Sequence, residues 1–329
     1  AVGLNCTLTS ADMAQAGQEL VKWTDLPLII KPNLGMPRID GSYDETPKQF
    51  AQNLAQLINL GVSGIGGCCG TTPEHIAELK KLTEGKSLVK REKISVTAAC
   101  SPLKTVNIDG VKIVGERLNP TGKKDYKQAL ISGDTDYIIN QGIDQTDAGA
   151  DILDLNCGLP EIDEAKAMES AVTALQSVTR LPLQIDSANP KAIESGLRAY
   201  CGKAIVNSVT GDDESLDSIL PLVKKYGALV IGLTLDKSGL PETVERRIEI
   251  AKKIIDRARS YGIKKSDVII DPLTLTLSAE QRQAQCTLSA IREFKKMGIK
   301  TVLGISNISF GLPQREALNA AFLTAALSC

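Results

Sequence analysis

Apolar positions along this chain follow two rhythms that alternate from one end to the other. Short blocks of consecutive apolar residues, such as Ala228-Leu229-Val230-Ile231-Gly232-Leu233, predict strands that are apolar on both faces. Such strands suit a parallel sheet covered by helices or closed into a barrel. Between the blocks run stretches such as 243–261, where Val244, Ile248, Ala251, Ile255 and Ala258 recur at helical spacing while Arg and Lys cover the opposite side. A helix of that kind buries one stripe and wets the other.

In the later part of the chain the strands are predicted at 111–117, 151–156, 181–186, 203–207, 228–235, 267–272 and 300–306. Units of roughly 25 to 35 residues favour α/β architecture of the (β/α)8 TIM-barrel type over a doubly wound sheet. Three more strands are predicted at 2–5, 26–31 and 62–66, each followed by a helical stretch. A barrel of this type needs about eight strands. The expected organisation is therefore the C-terminal portion of one barrel over 1–84, a charged linker over 85–110, and a second barrel over 111–329 that lacks its last βα unit. A hairpin is expected within 94–114, around the turn signal Asn107-Ile108-Asp109-Gly110.

Composition narrows the functional classes. With 43% hydrophobic and 23% charged residues the chain is an ordinary globular sequence, which excludes disordered and fibrous classes. Thirty-eight basic residues against 39 acidic ones leave a net charge of -1, without a block of like charges, so no nucleic-acid partner is expected. No apolar run reaches the ~18 residues of a membrane span, and the opening AVGLNCTLTSADM lacks the layout of a signal peptide. The expectation is a soluble cytoplasmic protein with no membrane partner. The 8 cysteines are too sparse for a disulfide scaffold and point to thiolate chemistry or metal.

Cys6 follows one predicted strand, and the adjacent Cys68 and Cys69 follow another behind Gly66-Gly67. On one barrel all three sulfurs would share the carboxyl-end face, where barrel active sites lie. Three thiolates with an open fourth position describe a catalytic zinc site. The competing reading is that these are small buried hydrophobes, the usual fate of free cysteine. His75, the sole histidine, is expected to cap or pack rather than ligate.

A second regularity lies in the later part. Strand after strand ends on a short polar residue: Glu116 and Asn119, then Asn156, Asp186, Asn207, Asp236, Asp271 and Asn307. Acids and amides converging on a barrel mouth, with few cations, suit a neutral heterocycle rich in N–H groups and ring nitrogens. The competing reading is that Asp and Asn cap the following helices or close turns.

Two families resemble these segments. Gly3-Leu4-Asn5-Cys6 with Gly66-Gly67-Cys68-Cys69-Gly70-Thr71-Thr72-Pro73 resemble the zinc-binding elements of homocysteine S-methyltransferases. That resemblance implies zinc on Cys6, Cys68 and Cys69 and homocysteine as the thiol. Gly115-Glu116-Arg117-Leu118-Asn119-Pro120, Asp151-Ile152-Leu153-Asp154-Leu155-Asn156, Ile185-Asp186-Ser187, Ile205-Val206-Asn207-Ser208, Ile269-Ile270-Asp271-Pro272 and Ser306-Asn307-Ile308-Ser309 resemble the pterin-binding barrel of corrinoid methyltransferases. In this order the two segments are similar to a piece of the cobalamin-dependent methionine synthase family.

The resemblance implies methyl transfer from 5-methyltetrahydrofolate to cob(I)alamin and then from methylcobalamin to zinc-activated homocysteine, forming methionine. By it, Asp186, Asn207 and Asp271 hold the pterin edge and Asn307 approaches N5 as the catalytic amide. Glu116, Asn119 and Arg315 are further substrate-binding carry-overs. No Asp-x-His-x-x-Gly motif occurs, so cobalamin is expected on another domain or chain. Alternatives are a methyltransferase serving a corrinoid iron–sulfur protein and a non-catalytic docking scaffold. Dihydropteroate synthase shares the barrel but handles a pyrophosphate, and the chain shows no basic phosphate cradle.

Overall fold

The computed structural model describes residues 1–329, which divide into two compact units, Ala1–Ser95 and Val96–Cys329. In the first unit, β1 (Val2–Thr9), β2 (Leu28–Asn33) and β3 (Gly64–Ile65) form a parallel sheet in that order. Helices α1 (Ser10–Trp23), α2 (Pro47–Asn59) and α3 (Pro73–Thr83) follow the strands in turn. Leu28 and Ile30 of β2 pack with Met13, Phe50, Leu54, Leu57 and Leu79. Thr46 and Gln49 form a reciprocal capping box that fixes where α2 begins.

The second unit opens with an antiparallel hairpin of β4 (Ala98–Cys100) and β5 (Thr105–Asn107). The hairpin was expected; its turn is not where the sequence signal put it. Ala98 pairs with Asn107, so Asn107 ends a strand, and the turn falls at 101–104. There the Ser101 hydroxyl accepts the backbone N–H groups of Leu103 and Lys104, and Pro102 presets the bend.

Beyond the hairpin, strands and helices alternate: β6 (Val114–Leu118), α4 (Lys124–Ser132), α5 (Thr135–Asp147), β7 (Ile152–Asn156), α6 (Glu164–Val178), β8 (Leu183–Asp186) and α7 (Pro190–Ala199). They continue as β9 (Ile205–Val209), α8 (Asp213–Tyr226), β10 (Leu229–Leu233), α9 (Val244–Ser260), β11 (Val268–Asp271), α10 (Gln281–Lys296), β12 (Lys300–Thr301) and α11 (Arg315–Leu327). The seven strands β6 to β12 lie side by side in chain order and all are parallel, so each crossover advances the sheet by one strand in a constant direction. All seven expected strands are present with shifted ends. The last is the shortest: the expected 300–306 becomes β12 and a 3-10 turn over Ile305–Ser309.

Alternation along each strand separates two apolar layers. Leu153, Leu155, Leu183, Ile185, Val206, Val230, Val268 and Ile270 pack under the helices. On the other face Ile152, Ile205, Leu229, Ile231 and Ile269 meet each other and the hairpin residues Ala99 and Val106. Each fully buried Ile or Leu side chain contributes about 1.5–3 kcal/mol, so this plug is a firm floor. Paired backbone bonds between Cys100 and Lys203 fasten the hairpin ahead of β9. Polar residues take over the same face toward the carboxyl ends of the strands.

One helix departs from the expected pattern. Arg247 of α9 is fully buried, although its neighbours in sequence led all Arg and Lys of that helix to be assigned to the wet side. It lies one turn before Ala251 on the buried stripe, and its guanidinium serves a dedicated set of acceptors described below.

Candidate functional site

In the first unit the three expected cysteines come together. Cys6, Cys68 and Cys69 place their sulfurs within 4.8 Å of one another. Cys6 and Cys69 are 3.5 Å apart, and Cys68 and Cys69 are 3.9 Å apart. Three sulfurs at about 2.3 Å from a tetrahedral zinc would stand about 3.8 Å apart, so the donor set and its spacing fit that ion.

The local sequence explains the convergence. Cys6 and Thr7 adopt positive φ, which breaks the pairing of β1 with β2 between Cys6 and Thr9 and turns the thiol out of the strand pattern. Cys68 N–H continues the ladder onto the Pro32 carbonyl, while Gly70, at φ +84, lies too close to the Tyr43 ring for any side chain. Bonds to the Cys68 and Cys69 thiols pull the Cys6 thiol down to about 7, whereas Cys69 is raised, first by its bond to Cys6. Without a cation the cluster therefore favours one thiolate, on Cys6, at the expense of Cys69. Asn33, which the sequence reading missed, directs its amide toward the Cys6 sulfur at 4.0 Å. His75 accepts the Thr72 backbone N–H at Nδ1 and packs edge-on against Phe50, which makes it the capping and packing residue expected.

In the second unit the strand register sets Asn156, Asp186 and Asn207 side by side at the carboxyl ends of β7, β8 and β9. Asn156 Nδ2 donates to Asp186 Oδ2 at 3.0 Å. All three line a cavity of about 640 Å³ together with Ser187, Leu233 and Lys237. That volume suits a small heterocycle. Burial raises the Asp186 carboxyl, and the nearby Glu116 adds to the effect.

The remaining expected site residues stand outside that lining. Glu116 acts on Asp186 electrostatically and accepts from Asn119 Nδ2 at 3.3 Å. Asp271 ends β11 opposite Leu233, two positions farther up its strand than Ile269, which aligns with the Asn207 level. Burial pushes the Asp271 carboxyl up to about 6, against the pull of the Arg247 charge. Asn307 is exposed on the 3-10 turn after β12. Arg315 grips that turn: its Nε donates to Ser309 Oγ at 3.1 Å and its Nη2 to the Ser306 carbonyl at 3.0 Å.

The turn-forming reading of the strand tips holds for part of the set. Asn119, Asn156, Asp236 and Asp271 each accept the backbone N–H two residues on. Asp236 also pairs with Arg246 at 2.7 Å. Helix caps, in contrast, come from other residues, including Asp134, Asp163, Asn189 and Thr243. Asp186 and Asn207 do neither job.

Arg247 acts behind the site. Its guanidinium donates to the carbonyls of Pro241, Pro272 and Leu273, to Gln283 Oε1 and to Thr287 Oγ1. It thereby holds the loop that leaves Asp271, including Leu273 at positive φ.

Comparison with known proteins adds the following. The family model for pterin binding enzyme matches residues 115–329, and the one for homocysteine S-methyltransferase matches residues 1–83. Methionine synthase of Mycobacterium leprae (strain TN) is 33% identical over 349 aligned residues, covering 98% of this chain and 29% of that protein. Methionine synthase of Mycobacterium tuberculosis is 32% identical with the same coverage. The chain thus spans under a third of the length of these curated relatives. Among solved structures, dihydropteroate synthase from Xanthomonas albilineans with 7,8-dihydropteroate aligns with a TM-score of 0.54 at 18% identity, over 70% of this chain and 89% of that one. Dihydropteroate synthase from Thermus thermophilus gives 0.53 at 19% identity, over 70% and 90%. These similarities establish the fold of the second unit.

Proposed function

This chain belongs to the pterin-binding enzyme family, and from that premise we propose that its polar mouth binds 5-methyltetrahydrofolate and gives up the N5 methyl group to cob(I)alamin brought by another domain or chain. Residues 1–84 would present homocysteine, held at the three cysteines, as the final methyl acceptor. The observation that carries this reading is the in-register row of Asn156, Asp186 and Asn207 over a cavity of about 640 Å³. We read the two units as the closing part of one (β/α)8 barrel and most of a second, the expected linker 85–110 being shortened because the hairpin of β4 and β5 belongs to the second unit.

The chemistry sets what the residues must do. When the N5–methyl bond breaks, its electron pair remains on N5, a poor leaving group unless the nitrogen has gained a proton. Asp186, Asn207 and Asp271 accept N–H groups of the ring and fix its orientation. Asn307 is an amide and not an acid, so it stabilises the protonated N5 through its carbonyl oxygen, and solvent supplies the proton. Arg315 keeps the Asn307 turn in place, and Glu116 with Asn119 forms the rim next to Asp186.

In the first unit Cys6, Cys68 and Cys69 would hold zinc, which when bound keeps an incoming thiol ionised near neutral pH. The Asn33 amide steadies the charge on Cys6.

The test is to incubate the chain with 5-methyltetrahydrofolate and free cob(I)alamin and to follow the loss of cob(I)alamin absorbance. Protein-dependent methyl transfer that fails in Asn207→Ala is expected. A rate equal to that without protein would refute the reading.

A further inference from the structure

Beneath the row of tip residues lies a carboxyl that the proposed reaction does not touch. Asp154 of β7 sits one inward position below Asn156 and is 2% exposed. Its register partner is Gln184, whose Nε2 donates to Asp154 Oδ1 at 2.5 Å. The register sets Asp186 and Asn207 on the same face of the sheet, diagonally above this carboxyl, near enough for both to act on it.

The outside charges that act on this pair are negative, while Lys237 lines the same cavity as Asp186 without pairing with it. Glu116 of β6 acts on both carboxyls, and Glu164 of α6 acts on Asp186. No lysine, arginine or histidine forms an ion pair with either one. Two adjacent carboxylates without a cation cannot both stay ionised in a shielded site.

We propose that Asp154 and Asp186 share one proton, with Asp154 as the neutral acid and Asp186 as the ionised acceptor that meets the ligand. The proposal deepens the pterin reading and rests on it for the ligand. Depth assigns the proton: Asp154 is sealed below, while Asp186 lines the cavity. Burial, followed by the Asp186 charge, raises the Asp154 carboxyl well above the usual carboxylate range, in keeping with this assignment. The shared proton leaves the pair with one negative charge, which suits a neutral ring better than two. Asp154 is thus a positioning residue that fixes Asp186 and Asn207 from beneath.

The test uses the whole chain. Infrared difference spectra of the unliganded protein against Asp154→Asn at neutral pH should show a protonated-carboxyl stretch that the variant lacks. Binding of 5-methyltetrahydrofolate should stay within about threefold in Asp154→Asn, whose amide can still donate to Asp186, and weaken by about tenfold or more in Asp154→Ala. Absence of the stretch, or an equal loss of binding in both variants with Asp154→Asn folded, would overturn the proposal. A wild-type chain that shows the stretch yet binds no reduced pterin would uphold proton sharing and defeat the pterin reading alone.

Discussion

Replacing Asp271 by Asn separates the stability of this fold from its chemistry. The Asp271 carboxyl is raised from 3.8 to about 6, chiefly by burial. An acid raised on folding holds its proton more tightly in the native state. Stability is therefore fullest below the unfolded value and is lost as pH rises through the folded one. A shift of roughly two units corresponds to about 3 kcal/mol of lost stability at neutral pH, a ceiling because the residue keeps some solvent contact. Asn keeps an oxygen for the Leu273 N–H, bound at 2.7 Å in the wild type, and does not titrate. Urea unfolding should then show Asp271→Asn more stable by up to about 3 kcal/mol near pH 7.5, with the gain shrinking to about 1 kcal/mol near pH 4.5. Binding of 5-methyltetrahydrofolate should weaken in the same variant. A pH-independent difference, or a gain that grows as pH falls, would refute the assignment of a desolvated carboxyl at the end of β11.

Three further outcomes follow from other parts of the molecule. Arg247→Met leaves several buried acceptors without donors and should cost about 2–4 kcal/mol in urea unfolding; a loss below about 0.5 kcal/mol would show that the loop after Asp271 does not depend on it. Cys68→Ser removes one of three sulfurs, so metal analysis should find zinc reduced from about one ion per chain to a small fraction, and full occupancy would exclude Cys68 as a ligand. Asn307→Ala should slow methyl transfer to cob(I)alamin by about 100-fold while ligand affinity changes far less. An affinity loss with an unchanged rate would move Asn307 from N5 to the ring edge.

Much of this was legible in the sequence because polar residues interrupt apolar strands. In Ile152-Leu153-Asp154-Leu155-Asn156 and Leu183-Gln184-Ile185-Asp186 the alternate positions face one side, and the register then brings Asn156, Asp186 and Asn207 together. The three cysteines were legible because Cys6 follows one apolar run and Cys68-Cys69 follow another behind Gly66-Gly67, whereas the positive φ at Cys6 and Thr7 that turns the first thiol was not. Asp154 and Gln184 were passed over, since a polar residue inside a run gives no sign of its depth until neighbouring strands are placed. Arg247 was hidden for a related reason: helical periodicity averages over a stripe, and its polar partners come from loops and from α10, up to 40 residues away. The hairpin turn was misplaced because Asn107-Ile108-Asp109-Gly110 is a strong local signal, yet Ser101 and its two N–H contacts close the turn earlier. Counting every strand tip as one set also overreached, because turn closure accounts for the Asx contacts of Asn119, Asn156, Asp236 and Asp271.

The central claim is that the cup at the carboxyl ends of β7 to β9 is a reduced-folate site. Calorimetric titration of the chain with 5-methyltetrahydrofolate tests it directly, with Asp186→Ala as the paired variant and unfolding midpoints recorded for both. One site per chain is expected, weakened by about tenfold or more in a variant that remains folded. No binding to the wild-type chain, or equal affinity in the two proteins, would contradict it.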